Sequence, residues 1–430
     1  MPKSPSLQSL EAYKKDPAGK VPDKTLVWQL EGKGLESFHL AEVPVPTMGP
    51  EDILFRSDSN GICFSDVKII QAGADHPRLQ GYDMLRDKVV PGHEISLTIV
   101  DVGAEADPRF RVGDRYIVQA DMLKYNTAVG YAIWGGMIQY GVFDKRVQEY
   151  LIRVDEDIGY SQASLVEPWA CIEASYERAD LQAGDETCWV IGGGGPMGQM
   201  HILRTLSLKA RDKLPALKSV IVSDVSVERI AAVRHRFEAR ANEMGVQFHC
   251  FDPTAPDFDA KMRQVAPEGV AYAVACAQIP AVVVGSLKYV RRYGVMNLFA
   301  GIKRGEGQVF LGDIHYDQIT LTGNSGSRLY DMEKMLRITE RGELDTNASA
   351  GAVVGMKACA DGVRAVAEGK ITNKTILYPQ FPDLPLTPIE KLPDLIDFSP
   401  EVEVDVRAGN WTQQAESEMI EALLTGGDGS

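Results

Sequence analysis

At 430 residues, with 44% apolar and 24% charged side chains, the chain exceeds one ordinary core and predicts a globular protein of two or three domains. A net charge of −15, from 60 acids against 45 bases, excludes nucleic acid and anionic membrane as partners, because both need a basic face. No apolar run reaches the roughly 18–20 residues of a membrane span. A secretory signal is absent from the first 25 residues, and six scattered cysteines form no disulfide framework, so the expectation is a cytoplasmic protein.

Residues 1–20 show no sustained period and read as an extension or mobile arm. Strand signals begin at TLVWQL, continue through FHLAEVPVP and EDILFRSDSNGIC, and resume at EISLTIVDVG and YIVQAD, with proline and glycine punctuation between them. The first third is therefore mainly β. Helical texture begins at SQASLVEPWACIEASYERADL. From CWVI onward strands alternate with helices: GGGGPMGQMHILRTLSL, SVIVSDVS, VERIAAVRHRFEARANEMG, VQFHCFD, DAKMRQVA, VAYAVACA, AVVVGSLKYVRR and GVMNLFAG. Such alternation over about 150 residues predicts a doubly wound parallel sheet with helices on both faces. ITLTGNSG adds a strand, DMEKMLRITERG and MKACADGVRAVAEG add helices, and KTILYP is a last apolar run. The tail from Pro379 is proline-rich and acidic and reads as a surface strap with a frayed end.

Gly193-x-Gly195-x-x-Gly198, with Pro196 and Met197 inside it, follows the strand at CWVI and opens a helix. Gly193 would allow a tight turn, Gly195 a close backbone approach to a pyrophosphate, and Gly198 close helix–strand packing. The next strand ends at Asp224, whose carboxylate can accept from ribose hydroxyls. A glycine turn without ligand, or a methyl-donor site, is the plainer alternative. The order strand, glycines, helix, strand, acid favours a nicotinamide dinucleotide. Asp224 would repel a 2′-phosphate, so NAD is expected over NADP. Arg229 softens that preference or is simply a helix-surface arginine.

In the β-rich part, GICFSD holds Cys63, Ser65 and Asp66, PGHE holds His93 and Glu94, and LVEP holds Glu167. A thiolate, an imidazole and one or two carboxylates suit a tetrahedral zinc with one open position. Taken singly, Cys63 also reads as a small core residue, His93 as a satisfied loop histidine and Glu167 as a helix N-terminal acid.

The succession GICxSD, PGHE, VGDR, GGxxQY, EP and GGGPMG resembles the zinc-dependent medium-chain dehydrogenase/reductase superfamily, in its sorbitol-dehydrogenase-like branch, from Thr25 to Pro379. Lys68, YNTAVGYAIWGG and HYDQITLTGNSGS resemble one subgroup, the L-sorbose 1-phosphate reductases. The resemblance implies an α/β chain: a β-rich GroES-like catalytic domain over 25–176 and 329–378, and a Rossmann doubly wound parallel sheet over 177–328. Residues 1–24 and 379–430 are then extensions. It implies one catalytic Zn2+ on Cys63, His93 and Glu167, with Glu94 an outer or exchangeable ligand. No cysteine lies between Cys63 and Cys171, so no structural zinc is expected. An extra loop, GADHPRLQGYDMLRDK, between Cys63 and His93 would shape the substrate entrance.

On that resemblance the function is hydride transfer between NAD(H) and a secondary alcohol or ketone of a sugar, polyol or sugar phosphate. Ser65 would take the alcohol proton and Lys68 pass it on or anchor a phosphate, while Asp66 orients a metal ligand. Arg291, Arg292, Lys303, Arg304 and Arg328 are further cations, none assignable to a phosphate. A homo-oligomer, dimer or tetramer, follows from the resemblance alone. The alternatives are a dehydrogenase of free polyols, secondary alcohols or a hydroxy amino acid and, more remotely, a methyltransferase or a non-catalytic binding relative.

Overall fold

The protein is described from a computed structural model, which covers residues 10–11, 13–14, 21–302 and 306–426. Contacts divide it into two units, Met1–Glu167 with Arg328–Ser430, and Pro168–Ser327.

The first unit opens with a two-stranded antiparallel ribbon, β1 (Lys24–Leu30) and β2 (Phe38–Pro44). Then come β3 (Ile53–Ile62), α1 (Phe64–Ala72), β4 (Glu94–Val102), β5 (Arg115–Val118), β6 (Tyr140–Phe143), β7 (Leu151–Arg153), α2 (Tyr160–Ser164) and α3 (Val166–Ala179), the last crossing into the second unit. All ten residues of β3 are buried, because β4, β6 and a strand from the far end of the chain all pair with it. Its buried charges pair internally: Arg56 Nε donates to Asp58 Oδ1 at 2.7 Å, and Thr98 Oγ1 donates to Asp58 Oδ2 at 2.6 Å. The Arg56 guanidinium also lies 3.8 Å over the Tyr13 ring. That part of the amino-terminal arm is seated on the domain; residues 1–9, 12 and 15–20 of the expected mobile arm lie outside the described residues.

The second unit contains β8 (Thr187–Ile191), α4 (Pro196–Ala210), β9 (Ser219–Ser223), α5 (Val227–Glu243), β10 (Gln247–Phe251), α6 (Phe258–Val265), β11 (Val270–Ala275), α7 (Pro280–Ser286), β12 (Val290–Leu298), α8 (Leu311–Tyr316) and β13 (Thr320–Gly323). The strand order is β10-β9-β8-β11-β12-β13, parallel throughout, which is the doubly wound arrangement the alternation predicts. The helix expected at AVVVGSLKYVRR is shorter than its pattern suggests. Val290 joins the ladder opposite Val270, so strand pairing claims the residues from 290 onward.

The chain returns to the first unit with α9 (Leu329–Glu340), β14 (Ala350–Gly355), α10 (Cys359–Ala367) and β15 (Lys374–Tyr378). With a two-residue strand at Thr387–Pro388, the main sheet runs 387–388, β14, β15, β3, β4, β5, β7, and β6 pairs beside β3. The tail is more than a strap. It forms α11 (Pro400–Arg407) and α12 (Gln413–Gly426), burying Val402, Val406, Trp411, Ala415, Met419 and Ile420; residues 427–430 lie outside the described residues. Among the described residues, no helix is long and apolar enough to cross a membrane.

Candidate functional site

Three neighbouring strand ends in the first unit converge on one group of side chains. β3 ends at Ile62, so Cys63 follows directly and caps the N-terminus of α1. β4 begins at Glu94, placing His93 and Glu94 beside that end, with Gly61 paired to Glu94 across the ladder. β15 begins at Lys374, one residue before the Thr375–Ile62 pair. A ligand atom from each of Cys63, His93 and Glu94 lies within 4.8 Å of the others.

Asp66 braces this group. Its Oδ2 accepts from the Cys63 backbone N–H at 2.8 Å, its Oδ1 accepts from the Gly92 N–H at 3.1 Å, and that same Oδ1 is 3.3 Å from His93 Nδ1. A carboxylate behind Nδ1 orients the ring and leaves Nε2 for a cation. Burial alone would depress the His93 imidazole, but Asp66 and Cys63 outweigh it and hold its pKa well above the usual value.

Glu94 is sealed from solvent because Gly61 has no side chain: a Cβ there would fall 1.9 Å from Glu94 Oε2. Lys374 Nζ donates to Glu94 Oε1 at 2.5 Å, while Oε2 is buried without a hydrogen-bond partner among the described residues. Thiol, imidazole and carboxylate form a zinc donor set, and the orphaned Oε2 is an atom a cation would satisfy, so the residues fit the metal. Glu167, expected as a ligand, stands outside the compact group. It remains electrostatically linked to it: burial raises its carboxyl to about 7, with Glu94 adding to the rise and His93 and Lys374 opposing it. The reason Glu94 holds the inner place is local, since it shares a strand end with His93 and has the Gly61 notch to enter.

Ser65 Oγ lies 3.5 Å from Cys63 Sγ, and Lys68 sits half-buried one turn further along α1. Lys374, Gly61 and Tyr131, whose ring is 6.5 Å from that of His93, belong to the neighbourhood and went unread in the sequence. All three lie in quoted stretches, Gly61 in GICFSD, Tyr131 in YNTAVGYAIWGG and Lys374 in KTILYP, but none was singled out.

In the second unit the glycine motif makes the turn from β8 into α4. The positive φ of 72° falls on Gly192, not on Gly193. Gly193 is required for space, because a Cβ there would meet Val222 Cγ1 at 2.3 Å, and a Cβ on Gly198 would meet Gly193 Cα at 2.6 Å. At Gly195, the N-cap of α4, a Cβ would meet nothing within 4 Å, and Pro196 occupies the first helical turn. Asp224 follows β9 and is buried; its Oδ2 accepts from Gly194 N–H at 2.9 Å and its Oδ1 from Ser226 N–H at 3.1 Å. Gly194 passes beside Arg229, whose Cβ would be 2.6 Å from a Cβ on it. Helix start, open glycine and acid at the second strand end are together here, with Met197 inside the first turn of α4. Of the other cations, Arg291 is engaged by Asp185 at 2.6 Å, and Lys303 and Arg304 lie outside the described residues.

Residues 49–154 match the alcohol dehydrogenase GroES-like domain. Together with the parallel sheet of the second unit, this bears out the fold class read from the sequence, a GroES-like domain with a Rossmann-like parallel sheet, and supports the resemblance to medium-chain dehydrogenases of the alcohol and polyol type. The chain is similar to mannitol-1-phosphate 5-dehydrogenase of Aliivibrio fischeri, 23% identical over 90% of this chain and 96% of that one. It is likewise similar to L-sorbose 1-phosphate reductase of Klebsiella pneumoniae, 24% identical over 90% and 95%. Among solved structures, 2R,3R-butanediol dehydrogenase from Bacillus subtilis superposes with a TM-score of 0.68 at 22% identity, covering 83% of this chain and 99% of that one.

Proposed function

We propose that the protein is a zinc- and NAD(H)-dependent oxidoreductase interconverting a secondary hydroxyl and a ketone on a sugar, polyol or sugar phosphate, in the manner of an L-sorbose 1-phosphate reductase. The observation that carries this reading is the group Cys63, His93 and Glu94, whose ligand atoms lie within 4.8 Å of one another. These three would hold the ion, with Glu167 at hand as a further carboxylate. A bound Zn2+ supplies Lewis acidity toward the substrate oxygen.

The chain's own residues divide the remaining work. Asp66 fixes both the Cys63 backbone and the His93 ring, which keeps the donor geometry from relaxing when the substrate changes. Ser65 Oγ, 3.5 Å from Cys63 Sγ, is placed to take the alcohol proton, and Lys68 to carry it outward along α1. Lys374 neutralises one oxygen of Glu94, so that carboxylate serves as an exchangeable partner of the centre. In the second unit Gly193, Gly195 and Gly198 open the N-terminus of α4 to a pyrophosphate, and Asp224 receives the ribose hydroxyls, favouring NAD; Arg229 leaves NADP open. The resemblance adds a cytoplasmic homo-oligomer, dimer or tetramer.

Metal analysis of the purified protein, paired with NADH oxidation on L-sorbose 1-phosphate, D-fructose 1-phosphate and the free ketoses, tests the reading. The expected result is about one zinc per chain, lost in Cys63→Ser and His93→Ala together with turnover. A metal-free protein with full turnover would overturn it.

A further inference from the structure

Tyr131 stands on a turn that is tied to the segment leading into His93. Gly130 takes a φ of 83°, a left-handed conformation that side chains resist, and a Cβ there would meet Gly92 O at 3.0 Å and His93 Cβ at 3.3 Å. Its N–H donates to Ile133 O at 2.8 Å, which closes the turn around Tyr131. Beyond the turn, Gly135 N–H donates to Val90 O at 2.8 Å and Gly136 N–H to Gly92 O at 2.9 Å. Trp134 Nε1 adds a bond to Lys88 O at 2.8 Å. The backbone that carries Tyr131 is therefore fixed to residues 88–92.

The ring is held as firmly as its backbone. His76 lies 5.2 Å from it and the Arg78 guanidinium 4.9 Å, both presented by the segment between α1 and β4, where Leu79 is sunk in the core. Neither brace adds a net charge. Arg78 is forked onto the Asp121 carboxylate, with Nη2 to Oδ2 at 3.0 Å, and burial, then the charges of Arg78 and Lys68, hold the His76 imidazole below its usual pKa and so neutral at pH 7. Tyr131 is only 7% exposed, yet its hydroxyl is not sealed off and forms no hydrogen bond among the described residues. A tyrosine this deeply buried usually finds a partner for its O–H. An unpartnered hydroxyl on so rigid a mount is a preorganised binding group.

Its chemistry selects what it binds. Burial holds the phenol above its usual pKa, with the charges of His93, Arg78, Asp66 and Cys63 acting on the same oxygen, so the group is neutral and can both donate and accept. An alcohol does the same. We infer that Tyr131 is a specificity-determining residue: its hydroxyl bonds a hydroxyl on the carbon next to the reacting one, so the site selects vicinal diols and α-hydroxy ketones over lone secondary alcohols and ketones. The Tyr131 and His93 rings are 6.5 Å apart, so an oxygen at Tyr131 and an oxygen at the Cys63–His93–Glu94 group belong to neighbouring atoms of one small molecule, not to its two ends. The inference rests on the alcohol–ketone chemistry proposed for that group and adds to it one named contact that discriminates between its substrates.

Ligand-observed NMR titration of the zinc-loaded full chain with butane-1,2-diol and with butan-2-ol tests the contact without relying on turnover, because the two molecules differ by one hydroxyl. The diol should bind about three- to ten-fold tighter, the measure of one neutral hydrogen bond. Tyr131→Phe should bring that ratio to about one by weakening the diol and sparing butan-2-ol, whereas a merely structural role would weaken both. The variant removes an oxygen that has no partner, so native zinc content and melting temperature are expected and show that it is folded. Equal binding of the two alcohols to the native protein, binding of neither, or a preference that survives Tyr131→Phe would overturn the inference. Oxidation with NAD+ is scored separately: a diol preference without turnover counts against the proposed activity and leaves the contact standing.

Discussion

Lys374 Nζ lies 2.5 Å from Glu94 Oε1 with both side chains closed to solvent, so two opposite charges from the starts of β15 and β4 are locked together across the end of β3. Burying either charge alone is costly, and removing one partner of such a pair typically costs about 3–5 kcal/mol. Lys374→Met should lower the unfolding free energy of the zinc-depleted protein by about that amount. The double variant Glu94→Gln/Lys374→Met should recover most of it, because no unpaired charge then remains. Urea titrations of the native protein, the single variants Lys374→Met and Glu94→Gln, and the double variant give the coupling directly. A Lys374→Met variant within about 1 kcal/mol of native would show that the pair carries little energy.

The glycines of the second unit separate folding from ligand approach. A Cβ on Gly195 would meet nothing within 4 Å, and its φ of −82° suits alanine, so Gly195→Ala should keep native stability. If the open face of that residue receives a pyrophosphate, the added methyl should still weaken NADH binding by about ten-fold or more. At Gly198 the Cβ would sit 2.6 Å from Gly193 Cα, so Gly198→Ala must push helix from turn and lose about 1–3 kcal/mol of stability as well as NADH affinity. Fluorescence titration with NADH alongside thermal melts distinguishes the two. Equal behaviour of the two variants in both assays would refute the division of labour.

His201 is the molecule's clearest acid liability. It is fully buried on α4, its ring is 4.5 Å from that of Phe299, and neither ring nitrogen has a hydrogen-bond partner among the described residues. Burial lowers its pKa to about 3, against about 6.5 in an unfolded chain. The fold therefore holds the neutral form, and its stability is intact above pH 6.5. As pH falls from 6.5 toward 3 the unfolded state gains a proton the fold cannot take, costing about 1.4 kcal/mol per pH unit. His201→Met should be at least as stable as native at pH 7 and should flatten the loss between pH 6 and pH 4. Parallel loss in both proteins would place the acid sensitivity elsewhere.

Much of the fold was legible because its signals are local. Strand–helix alternation from Thr187 to Leu298 follows the burial of both sheet faces, and the glycine run marks the turn into α4. Cys63 and His93 were readable because their neighbours Asp66 and Glu94 are reactive residues in short motifs. Lys374 was not, since a lysine opening an apolar strand looks like a solvated flank until β15 is known to pair with β3. Gly61 was hidden for the same reason: its notch exists only once Glu94 lies opposite. β14, a run of alanine, glycine and valine, has no period of two to announce it. Glu94 comes within reach of Cys63 and His93 because it shares a strand end with His93, a closeness visible only once β3 and β4 are paired. The tail's prolines and acids masked the helical spacing of Ala415, Met419 and Ile420.

That tail is expected to be part of the folded first unit, and a single carboxylate tests it. Glu416 Oε2 accepts from the Tyr160 backbone N–H at 2.7 Å, and Oε1 accepts from the Ser161 N–H at 2.6 Å and from the Tyr378 hydroxyl at 2.8 Å. α12 therefore caps the start of α2, where backbone N–H groups have no partners of their own helix. Trp411 Nε1 adds a bond to Ser161 Oγ at 3.1 Å. Glu416→Ala leaves two buried donors and a hydroxyl unsatisfied, for an expected loss of about 2–4 kcal/mol. Glu416→Gln should recover only part, because its amide group turns one acceptor into a donor facing another donor. Limited proteolysis supplies the second readout: cleavage between Asp397 and Trp411 should accelerate in Glu416→Ala and stay slow in the native protein. If both variants match native stability and cleavage, the tail is an ornament on this unit and the bonds to Tyr160 and Ser161 are inconsequential.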